Sequence, residues 1–249
     1  MKGNIRIVHL GGEVVNGYLL VGEKIAAVDI GFPSLANKAV KFVRDQLKRP
    51  LTDLDYIFAT HYHFDHIAGI PRLLECVPGA QVYLPAGSAG HVERSEPLYF
   101  PPPKRWHRVV TVGWTFDAPP VRWSDVIRMP WIGLPFLPNS KPSFDVAGYL
   151  HHGQTLPGFP GFKVIYTPGH SNDSVCFYHA KSASLLTGDT VIGGKTGAIL
   201  NPYYLNADDL LHSGKVLSEL KVKSVYPGHG NPIEGEFRPI HSLEETFIR

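Results

Sequence analysis

The stretch Thr60-His61-Tyr62-His63-Phe64-Asp65-His66 places three imidazoles and a carboxylate within six residues, where a compact apolar strand (Leu54 to Ala59) ends and a short helix (Ile67 to Cys76) begins. In a tight loop the alternate residues His61 and His63 face one side while Asp65 and His66 face another. One loop can therefore offer ligands to two adjacent metal ions. Imidazole suits zinc, iron and other transition metals, and a carboxylate oxygen completes either shell.

Three further polar residues occupy the same kind of place, each just beyond a predicted strand. His170 follows Val164-Ile165-Tyr166-Thr167-Pro168-Gly169, Asp189 follows Leu185-Leu186-Thr187-Gly188, and His229 follows Val225-Tyr226-Pro227-Gly228. Strand ends along one edge of a layered fold form a shared rim, and the neighbouring glycines let the backbone turn closely around a small site. The inventory is five His and two Asp, enough for two metals with open positions for water. Thr60, Thr167, Ser171 and Thr187 are placed to act as hydrogen-bonding partners of these ligands.

The rest of the chain supplies the scaffold. Strands are predicted over Ile5 to His9, Val14 to Val21, Lys24 to Ile30, Gln81 to Leu84, Phe162 to Thr167, Val175 to Tyr178, Ser184 to Thr187 and Ser224 to Tyr226. Helical spacing runs from an N-cap at Ser34 to Leu47, ahead of Pro50, and again across Ala207 to Leu220. This alternation implies an α/β layered fold, with helices covering the sheets.

With 249 residues the chain suits one large domain. Its 43% hydrophobic and 18% charged residues exclude a disordered class, and a net charge of +2 gives no reason to expect nucleic acid as a partner. Two cysteines, Cys76 and Cys176, make no disulfide framework, and no apolar run approaches a membrane span, so a soluble cytoplasmic protein is expected. Ten of the 22 prolines lie between Pro97 and Pro142, together with all four tryptophans. That segment, about residues 95–145, reads as an insertion. It is either a structural flap or an apolar lid in which Trp131 and Phe136 line a substrate pocket, and it is also a candidate homodimer contact. Of the other histidines, read as structural or solvated, His151-His152 is the pair nearest the His170 strand.

The ligand pattern resembles the metallo-β-lactamase superfamily, whose HxHxDH loop is followed by a later His, a bridging Asp and a final His. The resemblance implies a single domain over 1–249 with a four-layer αβ/βα sandwich. It implies His61, His63 and His170 on one metal, Asp65, His66 and His229 on the other, Asp189 bridging, and Asp29 in a structural role. It also implies a binuclear hydrolase with two divalent ions, zinc first and iron or manganese as alternatives, acting on a small molecule. Two cations sharing one water bring its pKa near neutrality, so a metal-bridged hydroxide is the expected nucleophile, with Asp65 as the catalytic residue that orients it and passes on a proton.

Departures from subgroup patterns narrow the reading. The bridging Asp189 sets the chain apart from true β-lactamases and toward glyoxalase II, lactonases and related hydrolases. The glycines of Val191 to Ala198 lack the Arg of the glyoxalase II and persulfide dioxygenase element. Only twenty residues follow His229, and Ile192 stands where homoserine-lactone lactonases carry Tyr. A thioester or lactone is thus favoured over a phosphodiester, because the insertion is apolar rather than basic. The alternatives are a phosphodiesterase and a mononuclear non-haem iron enzyme of persulfide dioxygenase type, using His61, His170 and Asp189.

Overall fold

The structure, a computed structural model, describes residues 5–11, 14–96, 143–194, 197–235 and 237. Trp131, Phe136 and all but the two ends of the predicted insertion lie outside the described residues, as does any homodimer contact through it. The chain divides into two compact units. The first runs to Leu84 and takes up Ser88 onward and the residues up to Tyr149; the second comprises Pro85–Gly87 and the chain from Leu150.

The first unit is built on a six-stranded sheet in the order β1 (Arg6–His9), β2 (Tyr18–Val21), β3 (Ile25–Val28), β4 (Leu54–Phe58), β5 (Gln81–Pro85) and β6 (Gly148–Leu150). Strands β1 to β3 form an antiparallel meander, whereas β3, β4 and β5 are parallel. Parallel neighbours require crossovers, and these are helical: α1 (Pro33–Lys41) between β3 and β4, then α2 (Phe64–Ile67) and α3 (Ile70–Cys76) between β4 and β5. All four residues of β3 are buried, as expected of a strand with neighbours on both edges. Leu35, Ala36 and Ala39 of α1 meet Ile70 and Leu73 of α3 in the same apolar core as Leu19, Ile25 and Ile57.

The start of α1 departs from the expectation of an N-cap at Ser34. Phe32 is the N-cap, with extended backbone, and Pro33 occupies the first turn. Proline fits there because its missing N–H would have had no partner within the helix. The helical path continues as a wider π-type turn over Phe42–Gln46 and ends at Lys48, whose φ is +52°.

The second unit holds a sheet in the order β14 (Ile233–Glu234), β13 (Ser224–Pro227), β10 (Ser184–Gly188), β9 (Val175–His179), β8 (Phe159–Tyr166) and β7 (Thr155–Leu156). A separate hairpin pairs β11 (Val191–Gly194) with β12 (Gly197–Leu200). Among the described residues the remaining α-helices are α4 (Ala89–Glu93), in the first unit, and α5 (Ala207–Ser218). Helix α5 is capped by Asn206, whose side chain accepts from Asp208 N and Asp209 N, and both aspartates lie in the first turn, at the positive end of the helix dipole. Its buried residues Leu210, Ser213, Gly214 and Leu217 follow helical spacing and pack it against the core containing Leu185, Leu200 and Val225.

Topology fixes where the ligand loops emerge. Strand β9 is antiparallel to both β8 and β10, and β13 is parallel to β10, so β8, β10 and β13 run in one direction. The loops carrying His170, Asp189 and His229 leave the same edge of this sheet. In the first unit β3 and β4 are parallel, so Asp29 and the His61–His66 loop also share an edge.

Candidate metal centre

The first unit assembles four of the expected ligands. Thr60 to His63 form an irregular connection after β4; His63 then adopts extended backbone as the N-cap of α2, and Asp65 and His66 lie on that helix. Ligand nitrogens of His61 come within 4.8 Å of those of His63 and of His66, and the Asp65 carboxylate lies within the same distance of a His66 nitrogen. His61 and His66 are fully buried, whereas His63 and Asp65 are half-buried.

Asp29 organises this cluster. Its backbone takes φ +54°, a region Asp tolerates better than most residues, and its carboxylate accepts from Thr60 N and from Thr60 Oγ1, each at 2.8 Å. The hydroxyl has one proton, directed to Asp29. Thr60 Oγ1 therefore accepts from His61 Nδ1 at 3.1 Å, which leaves the His61 Nε2 lone pair for a cation. His66 Nδ1 lies 3.2 Å from Asp29 Oδ2, and the carboxylate favours a proton on that nitrogen, so His66 also offers Nε2.

The second unit assembles the other three. Asp189 Oδ2 is 3.1 Å from His229 Nε2 and 3.5 Å from His170 Nε2. His170 Nδ1 lies 2.7 Å from the Tyr203 carbonyl oxygen, which can only accept, so Nδ1 carries the proton. In the neutral ring Nε2 is then a lone pair directed toward a carboxylate oxygen. Two acceptors in that relation are reconciled by a shared cation, and imidazole with carboxylate is the donor chemistry of zinc and iron sites. The residues thus fit the metals expected of them.

Close backbone packing holds each set. A Cβ on residue 31 would lie 1.5 Å from the Asp65 carbonyl oxygen, so only glycine permits α2 to sit there. Gly169, at φ +132°, precedes His170, and a Cβ on it would lie 2.3 Å from Leu210 N at the start of α5.

Of the four hydroxyls expected beside ligands, Thr60 makes such a contact. The others tie loops together instead: Thr167 Oγ1 to Thr190 Oγ1 at 2.9 Å, Thr187 Oγ1 to Val191 O at 2.8 Å, and Ser171 Oγ to Asp173 at 2.7 Å. The His152 ring accepts from Tyr166 N at 3.1 Å, an arrangement that steadies the end of β8. The supports of His170 went unread in the sequence: Tyr203 acts through a backbone carbonyl, and Asn201 Oδ1 accepts from Tyr203 N at 2.9 Å. No helix among the described residues is long and apolar enough to cross a membrane.

Comparison with known proteins agrees with this geometry. The chain is 22% identical over 253 residues to the probable metallo-hydrolase YqjP of Bacillus subtilis (strain 168), covering 89% of this chain and 68% of that protein. It is 27% identical to the hydroxyacylglutathione hydrolase of Francisella tularensis subsp. novicida (strain U112) over 71% of this chain, which spans about half (49%) of that relative's length. A crystal structure of TTHA1623 in a di-iron-bound form superposes with a TM-score of 0.58 at 25% identity, over 92% of this chain and 94% of that one. The expected metallo-β-lactamase fold is the fold of such neighbours. The profile of the metallo-beta-lactamase superfamily matches residues 10–229, from just after the first strand to the last expected ligand, and the chain belongs to that superfamily.

Proposed function

We propose that this protein is a binuclear metal-dependent hydrolase of an ester-like bond, with a thioester or lactone as substrate. In this reading His61, His63 and His170 would hold one ion, Asp65, His66 and His229 the second, and Asp189 would lend its carboxylate to both. Zinc is the first expectation for both. The observation that carries the reading is His170 Nε2 at 3.5 Å from Asp189 Oδ2 while Nδ1 donates to the Tyr203 carbonyl, an arrangement suited to a cation. The relative named for hydroxyacylglutathione hydrolysis and the di-iron-bound structural neighbour support the reaction class and the metal count.

When held by these residues, divalent ions would supply the Lewis acidity that activates water and polarises a scissile carbonyl. The chain's own contribution is positional and protonic. Asp65, half-buried and fixed by the Gly31 contact, takes up a proton at a carboxylate oxygen and delivers it to the leaving group. Asp29 and Thr60 set the ring orientations of His61 and His66, so that little reorganisation accompanies the reaction. Trp131 and Phe136, outside the described residues, are our candidates for the apolar wall that receives the acyl part of the substrate.

The test is to purify the protein without added metal, count its metals, and screen thioesters, lactones and phosphodiesters. Two metal equivalents per chain and thioester or lactone turnover, falling about 10²- to 10⁴-fold in Asp65→Asn, are expected. One iron per chain with consumption of oxygen would overturn the reading.

A further inference from the structure

The loop after β12 links the two ligand loops of the second unit that carry His170 and Asp189. Asn201 is 1% exposed, and its backbone N–H donates to Thr190 O at 3.2 Å, the carbonyl immediately after Asp189. Its side-chain oxygen accepts from Tyr203 N at 2.9 Å, closing a turn across Pro202. The carbonyl of that same Tyr203 accepts from His170 Nδ1 at 2.7 Å, and Asn201 Nδ2 stands 3.3 Å from the same nitrogen. A continuous path of hydrogen bonds thus runs from the Asp189 loop, through one asparagine, to the imidazole of His170. Both connected loops lie at one sheet edge.

We propose that Asn201 is a positioning residue for the metal centre: by aiming the Tyr203 carbonyl at Nδ1 it sets the tautomer and ring orientation of His170, in register with Asp189. The side chain suits this task because its amide oxygen accepts from Tyr203 N, and Pro202 supplies no N–H to compete for that acceptor. Alanine at this position leaves the Tyr203 carbonyl free to rotate away, and His170 then samples orientations that do not present Nε2.

The inference rests on His170 being a metal ligand, so its test carries His170→Ala beside Asn201→Ala and Asn201→Asp. The readouts are zinc affinity, by competition with a chromophoric chelator, and the His170 tautomer, by long-range nitrogen–proton correlation on the zinc-loaded protein. We expect Nδ1–H in the unsubstituted protein and zinc binding about 10- to 100-fold weaker in Asn201→Ala. Asn201→Asp, which keeps the acceptor for Tyr203 N, should recover most of that affinity. Weak binding in His170→Ala together with unsubstituted affinity in Asn201→Ala would overturn the role of Asn201 alone. Unchanged affinity in both would remove His170 from the ligand set, and this proposal with it. Should Asn201→Ala fail to fold, the unsubstituted protein still decides: a proton on Nε2 of His170 refutes the proposal.

Discussion

The carbonyl oxygen of Asp65 occupies the position that the Cβ of any other residue at Gly31 would need, 1.5 Å away. That distance is a covalent one, so no small adjustment of a side chain relieves it. Gly31→Ala must displace the start of α2, and with it both Asp65 and His66. Because a misplacement of about 1 Å at a reacting centre costs about 100-fold, activity in Gly31→Ala should fall by at least that factor. Circular dichroism and turnover on the same sample check this; a folded variant with parental activity would show that α2 is free to move without consequence.

Thr60 donates its one hydroxyl proton to Asp29 and accepts from His61, joining a buried carboxylate to a proposed ligand. Thr60→Val keeps the shape and removes both interactions, which leaves Asp29 with one donor fewer in a buried setting. Stability should drop by about 1–3 kcal/mol in chemical denaturation, and metal affinity by about 10-fold or more. Thr60→Ser, which retains the hydroxyl, should restore affinity ahead of stability. Equal affinities in all three proteins would show that His61 needs no such support.

Which parts of this centre were legible in the sequence follows from how each residue acts. His61, His63, Asp65 and His66 are adjacent in the chain and act through side chains, so type and spacing expose them. His170, Asp189 and His229 are scattered, yet each follows a strand and a glycine, a local context that carries the signal. Tyr203 works through its carbonyl on a residue 33 positions away, and backbone acceptors leave no trace in residue type. Strands β11 and β12 were missed because three glycines lower their strand propensity; Gly193 is there because a Cβ would lie 2.3 Å from Asn231 O, a constraint visible only in three dimensions. Strands β6, β7 and β14, of two or three residues each, are too short for a period to register.

Acid stability has a specific contributor in His179. Burial lowers the pKa of this imidazole from its ordinary 6.5, and Lys181 lowers it further. The ring stacks on Phe162 at 4.8 Å and accepts from Ser182 N at 3.3 Å, an acceptor role that protonation at Nδ1 abolishes. With the folded value below the unfolded one, the unfolded state binds more protons in the interval between them. Stability present above pH 6.5 is therefore lost as the pH falls from 6.5 through the folded value. His179→Gln should flatten the fall in melting temperature between pH 6.5 and 5 relative to the unsubstituted protein. Metal release at acid pH affects both proteins alike, so their difference isolates His179; parallel pH profiles would assign the acid loss elsewhere.

The contacts of Asp189 with His170 and His229 admit two physical explanations that metal removal separates. If both imidazoles were cationic, the cluster would be a buried ion-pair network, stable without any metal and indifferent to chelators. If the rings are neutral, cation binding contributes stability by mass action, about 2.7 kcal/mol at a free concentration 100 times Kd. Chelation should then lower the melting temperature of the unsubstituted protein by several degrees, and restored zinc should return it. Asp189→Ala, lacking the carboxylate that faces both rings, should melt at nearly the same temperature with and without chelator. A melting temperature that ignores chelator in the unsubstituted protein but falls in Asp189→Ala would favour the ion-pair network, with His170 Nε2 a donor to the Asp189 carboxylate.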